Sequence, residues 1–79
     1  MDIIEFKSKK EFYHIEESDV KNNTARFTDD WDKKRWDKYK YATHIQISQA
    51  EGFMSFIREI RHKCTYKNIA IITWIPKNH

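Results

Sequence analysis

The clearest pattern in the chain runs from Tyr41 to Ser48, where Tyr41, Thr43, Ile45 and Ile47 alternate with Ala42, His44, Gln46 and Ser48. Successive side chains point to opposite faces of a strand, so this spacing predicts a half-buried strand with the first set toward the core. Ile69-Ala70-Ile71-Ile72-Thr73-Trp74-Ile75 is β-branched and almost wholly apolar. It predicts a central strand stopped by Pro76, with the tail Lys77-Asn78-His79 fraying. Asp2 to Lys7, which holds Ile3, Ile4 and Phe6, is a shorter β-compatible run. Thr24 to Thr28 reads as a further strand, with Thr24 and Arg26 on one face and Ala25 and Phe27 turned to the core.

Other stretches carry the signals of helices. Ser8-Lys9-Lys10-Glu11 fits a capping box, so a helix is expected over Lys9 to Ser18, with Phe12 and Ile15 as its apolar stripe and acids opposite. The turn-rich segment Ser18 to Asn23 ends it. Asp29 to Tyr41 predicts a second helix, capped by Thr28 or Asp29, with acids early and Lys38 and Lys40 late, in favourable order along the helix dipole. Trp36 and Tyr39 would cover one end of the core, and Arg35 would stack between Trp31 and Tyr39. Ser48 to Cys64 reads in two ways. Ser48 and Glu51 fit another capping box, with Phe53, Phe56, Ile57, Ile60 and Cys64 at helical spacing. Alternatively, a turn at Ala50-Glu51-Gly52 leads into a strand that carries Phe56, Arg58 and Ile60 with period two. Thr65 to Asn68 reads as a turn.

Seventy-nine residues make one domain, 1–79, with a small core in which twelve aromatic side chains supply much of the buried area. Cys64 is the single cysteine; it is expected to be a small buried hydrophobe, and its solitude suits a reducing, cytoplasmic compartment. Four histidines lie at positions 14, 44, 62 and 79 without paired-ligand spacing, so neither a metal nor a cofactor is implied. The first ten residues lack the apolar run of a signal peptide, and no apolar stretch is long enough for a membrane span. The net charge of +3 is too small to announce a polyanion partner by itself. Its distribution is more informative: Arg58, Arg61, Lys63, Lys67 and Lys77 follow one another with only Glu59 against them.

One cluster carries chemistry. In Lys21-Asn22-Asn23-Thr24-Ala25-Arg26, a lysine and an arginine flank a hydroxyl at strand spacing. The cations can hold a phosphate or carboxylate while Thr24 donates a further bond. Alternatively, Lys21 can take the proton of Thr24 and make it a nucleophile, which also requires a carboxylate.

A helix and a turn precede Lys21-x-x-Thr24-x-Arg26, and an alternating strand, Phe56-x-Arg58-x-Ile60 and a closing strand ending Thr73-Trp74 follow it. This order resembles a small ASCH-type domain of the PUA-like superfamily. The resemblance implies an α+β fold, a small mixed or antiparallel β-barrel with one or two short helices, and an association with RNA or modified nucleosides. Within Ser48 to Cys64 it implies a strand over Phe53 to Arg61, opposite Tyr41 to Ser48, while the helical spacing stands as the alternative. Some members with this run are amidohydrolases of N4-acetylcytidine. Carried over by position, Lys21 would be the base and Thr24 the nucleophile, with a downstream glutamate, Glu51 or Glu59, to complete the set.

The expectation from these observations is a module that binds RNA or a nucleotide through Lys21, Thr24 and Arg26, with Arg58 extending the basic face and Trp74 adding an aromatic contact. Two alternatives stand beside it. One is hydrolysis of an acylated cytidine; the other is a protein-binding inhibitor or adaptor of the kind encoded by phages and mobile elements, since Tyr, Trp and Arg dominate interface hot spots.

Overall fold

A computed structural model describes residues 1–77. The elements follow the order β1 (Ile3–Ser8), α1 (Lys10–Glu17), β2 (Asn23–Phe27), α2 (Lys33–Tyr41), β3 (His44–Gln49), β4 (Ser55–Tyr66) and β5 (Ile69–Trp74). The fold is α+β: a curled half-barrel of five strands in the order β1-β3-β4-β5-β2, with two helices. β1 and β3 are parallel and the other pairs antiparallel. No helix among the described residues is long and apolar enough to cross a membrane.

β3 places Ile45 and Ile47 in the core, as period two predicts, but the strand begins only at His44: Tyr41 is the exposed end of α2, Thr43 is exposed, and Ala42 of the opposite set is buried. β5 buries Ala70, Ile72 and Trp74. Ser48 to Cys64 contains no helix. β4 runs through most of it, pairing with β3 over Ser55–Glu59 and with β5 over Ile60–Tyr66. The two registers meet at a bulge between Ile60 and His62. An extra residue in one strand increases local twist and shifts the alternation of side chains. Phe56, Arg58 and Ile60 therefore face inward before it and Lys63 after it, while Cys64 is turned out and exposed, contrary to its expected burial.

Aromatic clusters close the two ends of the core. Tyr13 of α1 meets Phe56, which meets Trp74, with ring centroids 5.5 and 5.9 Å apart. At the other end Trp31 contacts Phe6, Trp36 and Tyr39. Arg35 lies over Phe6 at 4.4 Å and Trp31 at 5.8 Å, not between Trp31 and Tyr39. α2 begins later than Thr28 or Asp29 would set it, because Asp32 is its cap, accepting from the Arg35 backbone N–H at 2.8 Å. At its other end the Lys63 ammonium donates to the carbonyls of Tyr39, Lys40 and Ala42 at 2.8–3.0 Å. These are the orphan acceptors of a helix C-terminus.

The first helix departs most from expectation. Its buried residues are Tyr13 and Glu16, and the Phe12–Ile15 stripe is exposed. Ser8 does not cap it: Lys9 occupies that position without a side-chain bond, and Ser8 is the buried last residue of β1. After the helix, Asp19 adopts φ 64°, a left-handed conformation that Asp tolerates better than most residues. The tail is held at its start, since the Lys77 N–H donates to Asp19 Oδ2 at 2.9 Å; Asn78 and His79 lie outside the described residues.

Candidate functional site

β1 and β2 are the two edges of the half-barrel, and the seam between them is where the chain gathers polar side chains. On β2, the Asn22 carbonyl and the Thr28 N–H bond toward β5. By alternation, the main-chain groups of Asn23, Ala25 and Phe27 face the open side. On β1, the Asp2 and Ser8 carbonyls bond toward β3, which leaves those of Glu5 and Lys7 on the open side. Two arginines cover them: Arg35 Nη2 donates to the Glu5 carbonyl, and Arg26 Nη1 donates to the Lys7 carbonyl at 2.8 Å. Uncovered strand edges invite pairing with other chains.

Arg26 forms the centre of the site. Its Nη2 donates to Ser8 Oγ at 2.9 Å, its Nε donates to Thr24 Oγ1 at 3.0 Å, and its guanidinium lies over Phe6 at 4.8 Å. Among the described residues, two of the five N–H donors of the fork stay uncommitted. Burial pulls the guanidinium below its usual pKa, against the opposing charge of Glu16 and with that of Arg35; an arginine keeps its proton regardless. Thr24, 3% exposed, accepts from Arg26, so its own O–H is free to donate.

Thr24 and Arg26 share the inner face of β2 while Ala25 and Phe27 are exposed, the reverse of the expected core assignment. The seam explains this inversion. No neighbouring strand covers β2 on that side, and a forked cation that can bond across the gap suits the position better than an apolar side chain.

Glu16 completes the cluster from the buried face of α1. It is 1% exposed, its Oε2 lies 3.7 Å from the Lys21 ammonium, and its Oε1 has no hydrogen-bond partner among the described residues. Leaving a buried polar atom unpaired costs about 1–3 kcal/mol, and such groups are rare enough to call for an explanation. No pattern in the chain marks Glu16 for burial, because a lone acid beside an apolar stripe ordinarily lies on the solvated face. The signal available in retrospect is its i,i+3 spacing from Tyr13, the one large aromatic of the helix that is off the Phe12–Ile15 stripe.

These groups line one open cleft of about 790 Å³. Its polar lining is Ser8, Glu16, Lys21, Thr24 and Arg26, with Lys7, Lys9 and Asp30 as further charges and Phe12 and Phe27 as rings. The rings are 49% and 69% exposed. A second concavity of about 450 Å³ shares Arg26, Phe27 and Asp30 and continues to Trp31 and Arg35.

The expected site residues thus divide. Lys21, Thr24 and Arg26 come together; Arg58 and Trp74 line no part of the cleft. Trp74 is fully buried, and its indole N–H donates to Asp19 Oδ1 at 3.2 Å, so it offers no face to a ligand. Arg58 is closed in by Asp19 Oδ1 at 3.4 Å and by the Glu17 carbonyl at 3.0 Å. Glu51 and Glu59 are exposed and line no part of the cleft either. Compared with protein-family models, with curated proteins and with solved structures, the chain matches none.

Proposed function

We propose that the cleft between α1 and β2 binds a nucleotide, free or as part of an RNA. The observation that carries this reading is the convergence of Lys21, Thr24 and Arg26 with two exposed phenyl rings and two further lysines. Phe12 and Phe27 offer stacking faces, worth about 1–3 kcal/mol per base. Lys7, Lys9 and Lys21 supply mobile positive charge for phosphate, while Arg26 and Thr24 present fixed donors beneath them. The half-barrel with two helices is compatible with the ASCH-type, PUA-like resemblance of the Lys21-x-x-Thr24-x-Arg26 run, and that assignment belongs to the proposal. The test is binding of a labelled single-stranded RNA and of mononucleotides across a salt series. Three lysine–phosphate contacts on a single strand predict a slope of log Kobs against log salt of about −2, and Phe27→Ala should weaken binding about tenfold. Absence of binding to either ligand at low salt would overturn the reading.

A second reading rests on Glu16. An amide hydrolase built on Lys21 and Thr24 needs a carboxylate, and Glu16 stands beside Lys21 in the same cleft. With an acylated cytidine, Lys21 in its free-amine form, positioned by Glu16, would take the Thr24 hydroxyl proton. Thr24 Oγ1 would attack the acyl carbonyl, the cytidine amine would leave with a proton, and water would cleave the acyl-threonine ester. Chromatography after incubation with N4-acetylcytidine tests it. Unchanged turnover in Thr24→Ala would remove Thr24 from the mechanism.

A further inference from the structure

We infer that the outer face of β4, β5 and β2 is an interface at which two copies of this chain associate about a two-fold axis. The inference does not depend on what the cleft binds. The strand registers align two apolar rows across this face, Tyr66-Ile69-Phe27 and Cys64-Ile71-Ala25, with a polar row from His62 to Asn23 beyond them. The alternate residues Ala70, Ile72 and Trp74 are buried on the core side, so the rows face outward. Both helices lie against the core side, through Tyr13 and Tyr39. Tyr66 and Phe27 are 67% and 69% exposed, Cys64 and Ala25 are exposed, and Ile69 and Ile71 are half-buried.

Charge, shape and area point to a second copy as the occupant. Of fifteen basic and twelve acidic side chains in the chain, none falls in these rows. A charged partner finds nothing to hold there, whereas two identical faces meet without like-charge repulsion, and interface centres are depleted in charge. The first row is bulky at both ends, and the second carries Cys64 and Ala25 in the same places. A two-fold axis parallel to the rows and between them lays the bulky row of each copy over the small row of the other, with the sheets about 10 Å apart. Tyr66 then covers Cys64 of the partner subunit, and Phe27 covers Ala25 of the partner subunit. At these exposures the two rings offer roughly 200–300 Å² per copy. With the smaller side chains of both rows added, the pair lies at the low end of specific interfaces, which predicts a weak dimer with Kd on the order of 100 µM.

Phe27 also lines the cleft, so the test is placed on β4. Sedimentation equilibrium of the full chain from about 5 µM to about 1 mM spans the expected Kd. The weight-average mass should climb from 9.7 kDa toward twice that value and stop there. Tyr66→Lys puts an unpaired charge into the interface and should weaken association about tenfold or more. Its urea midpoint should stay unchanged, because the ring is exposed in the single copy. Ile57→Lys, on the exposed face of β4 outside these rows, should leave association as it is. In the unaltered protein, alkylation of the Cys64 thiol by iodoacetamide should slow in step with the dimer fraction. A mass fixed at one copy throughout, growth past two copies, association that survives Tyr66→Lys, or an alkylation rate independent of concentration would each overturn the inference.

Discussion

Asp19→Ala should be the most damaging single substitution outside the apolar core. The carboxylate accepts from Arg58 Nε at 3.4 Å and the Trp74 indole at 3.2 Å through Oδ1, and from the Lys77 N–H at 2.9 Å through Oδ2. The side chains of Arg58 and Asp19 are 9% and 11% exposed. Removing one partner of a buried ion pair costs about 3–5 kcal/mol, because the other charge stays buried. Arg58 keeps the Glu17 and Ile57 carbonyls, which favours the lower end of that range. The orphaned indole N–H adds to the loss, about 1–3 kcal/mol taken alone. It shares the carboxylate with Arg58, so the two terms overlap and do not simply add. Alanine at φ 64° contributes about a further 1 kcal/mol of backbone cost. The expected total is about 4–5 kcal/mol, a large share of the stability of any small domain. Asp19→Asn tolerates the same backbone and keeps an acceptor, and should cost about 1–3 kcal/mol. Urea unfolding followed by tryptophan fluorescence measures both. A loss below about 1 kcal/mol for Asp19→Ala, or equal losses for the two variants, would refute the buried-network reasoning.

The same carboxylate sets an acid limit. Desolvation, the largest single influence, pushes its pKa up, but the Lys77 N–H, the Trp74 indole and Arg58 together pull it below the ordinary value. A depressed carboxyl stabilises the fold above its unfolded pKa of about 3.9 and loses that contribution as pH falls through the lower folded value. Urea midpoints measured down to about pH 3 should therefore fall more steeply in the parent protein than in Asp19→Asn. Lys63→Met removes the donor to three carbonyls at the end of α2. It should cost about 1–3 kcal/mol, with amide exchange accelerated in the last turn of that helix. Arg26→Lys keeps the charge and loses the fork that reaches Thr24, Lys7 and Ser8 together. A loss of about 1–3 kcal/mol is expected, with faster exchange along β1 and β2; an unchanged unfolding midpoint would mean that the seam does not need it.

Most strands were legible because burial on one or both faces imposes a simple period. The alternation of β3 marks Ile45 and Ile47 as inward without knowledge of their neighbours, although Tyr41 and Thr43 of the same set are exposed, Tyr41 as the end of α2; the apolar run of β5 marks a strand but not which of its faces is buried. The faces presented by β2, β4 and α1 depend on a neighbour. β2 is a barrel edge, so its inner face carries Thr24 and Arg26, and a rule that sends polar residues outward inverts it. The bulge of β4 exchanges the inward and outward sets after Arg61, which places Lys63 in and Cys64 out without any glycine or proline to announce it. In α1, the choice of face lay between two i,i+3 pairs, Phe12–Ile15 and Tyr13–Glu16. Packing of Tyr13 on Phe56 decided for the pair that local hydrophobicity disfavours. The same rotation buries Glu16 and exposes Phe12, so one carboxylate and one ring of the cleft both depend on a helix face that local hydrophobicity does not select. Lys21, Thr24 and Arg26 were recoverable because their spacing along one short segment already brings them together.

The most direct test of the cleft is an amide-shift titration of the nitrogen-15-labelled protein with CMP, and then with a short single-stranded RNA. The largest changes are expected at Glu16, Lys21, Thr24, Ala25, Arg26 and Phe27, saturating together with one affinity. Shifts confined to the exposed Phe53–Met54 tip or to the outer face of β4, or none at all at low salt, would contradict the assignment of this seam as the binding site.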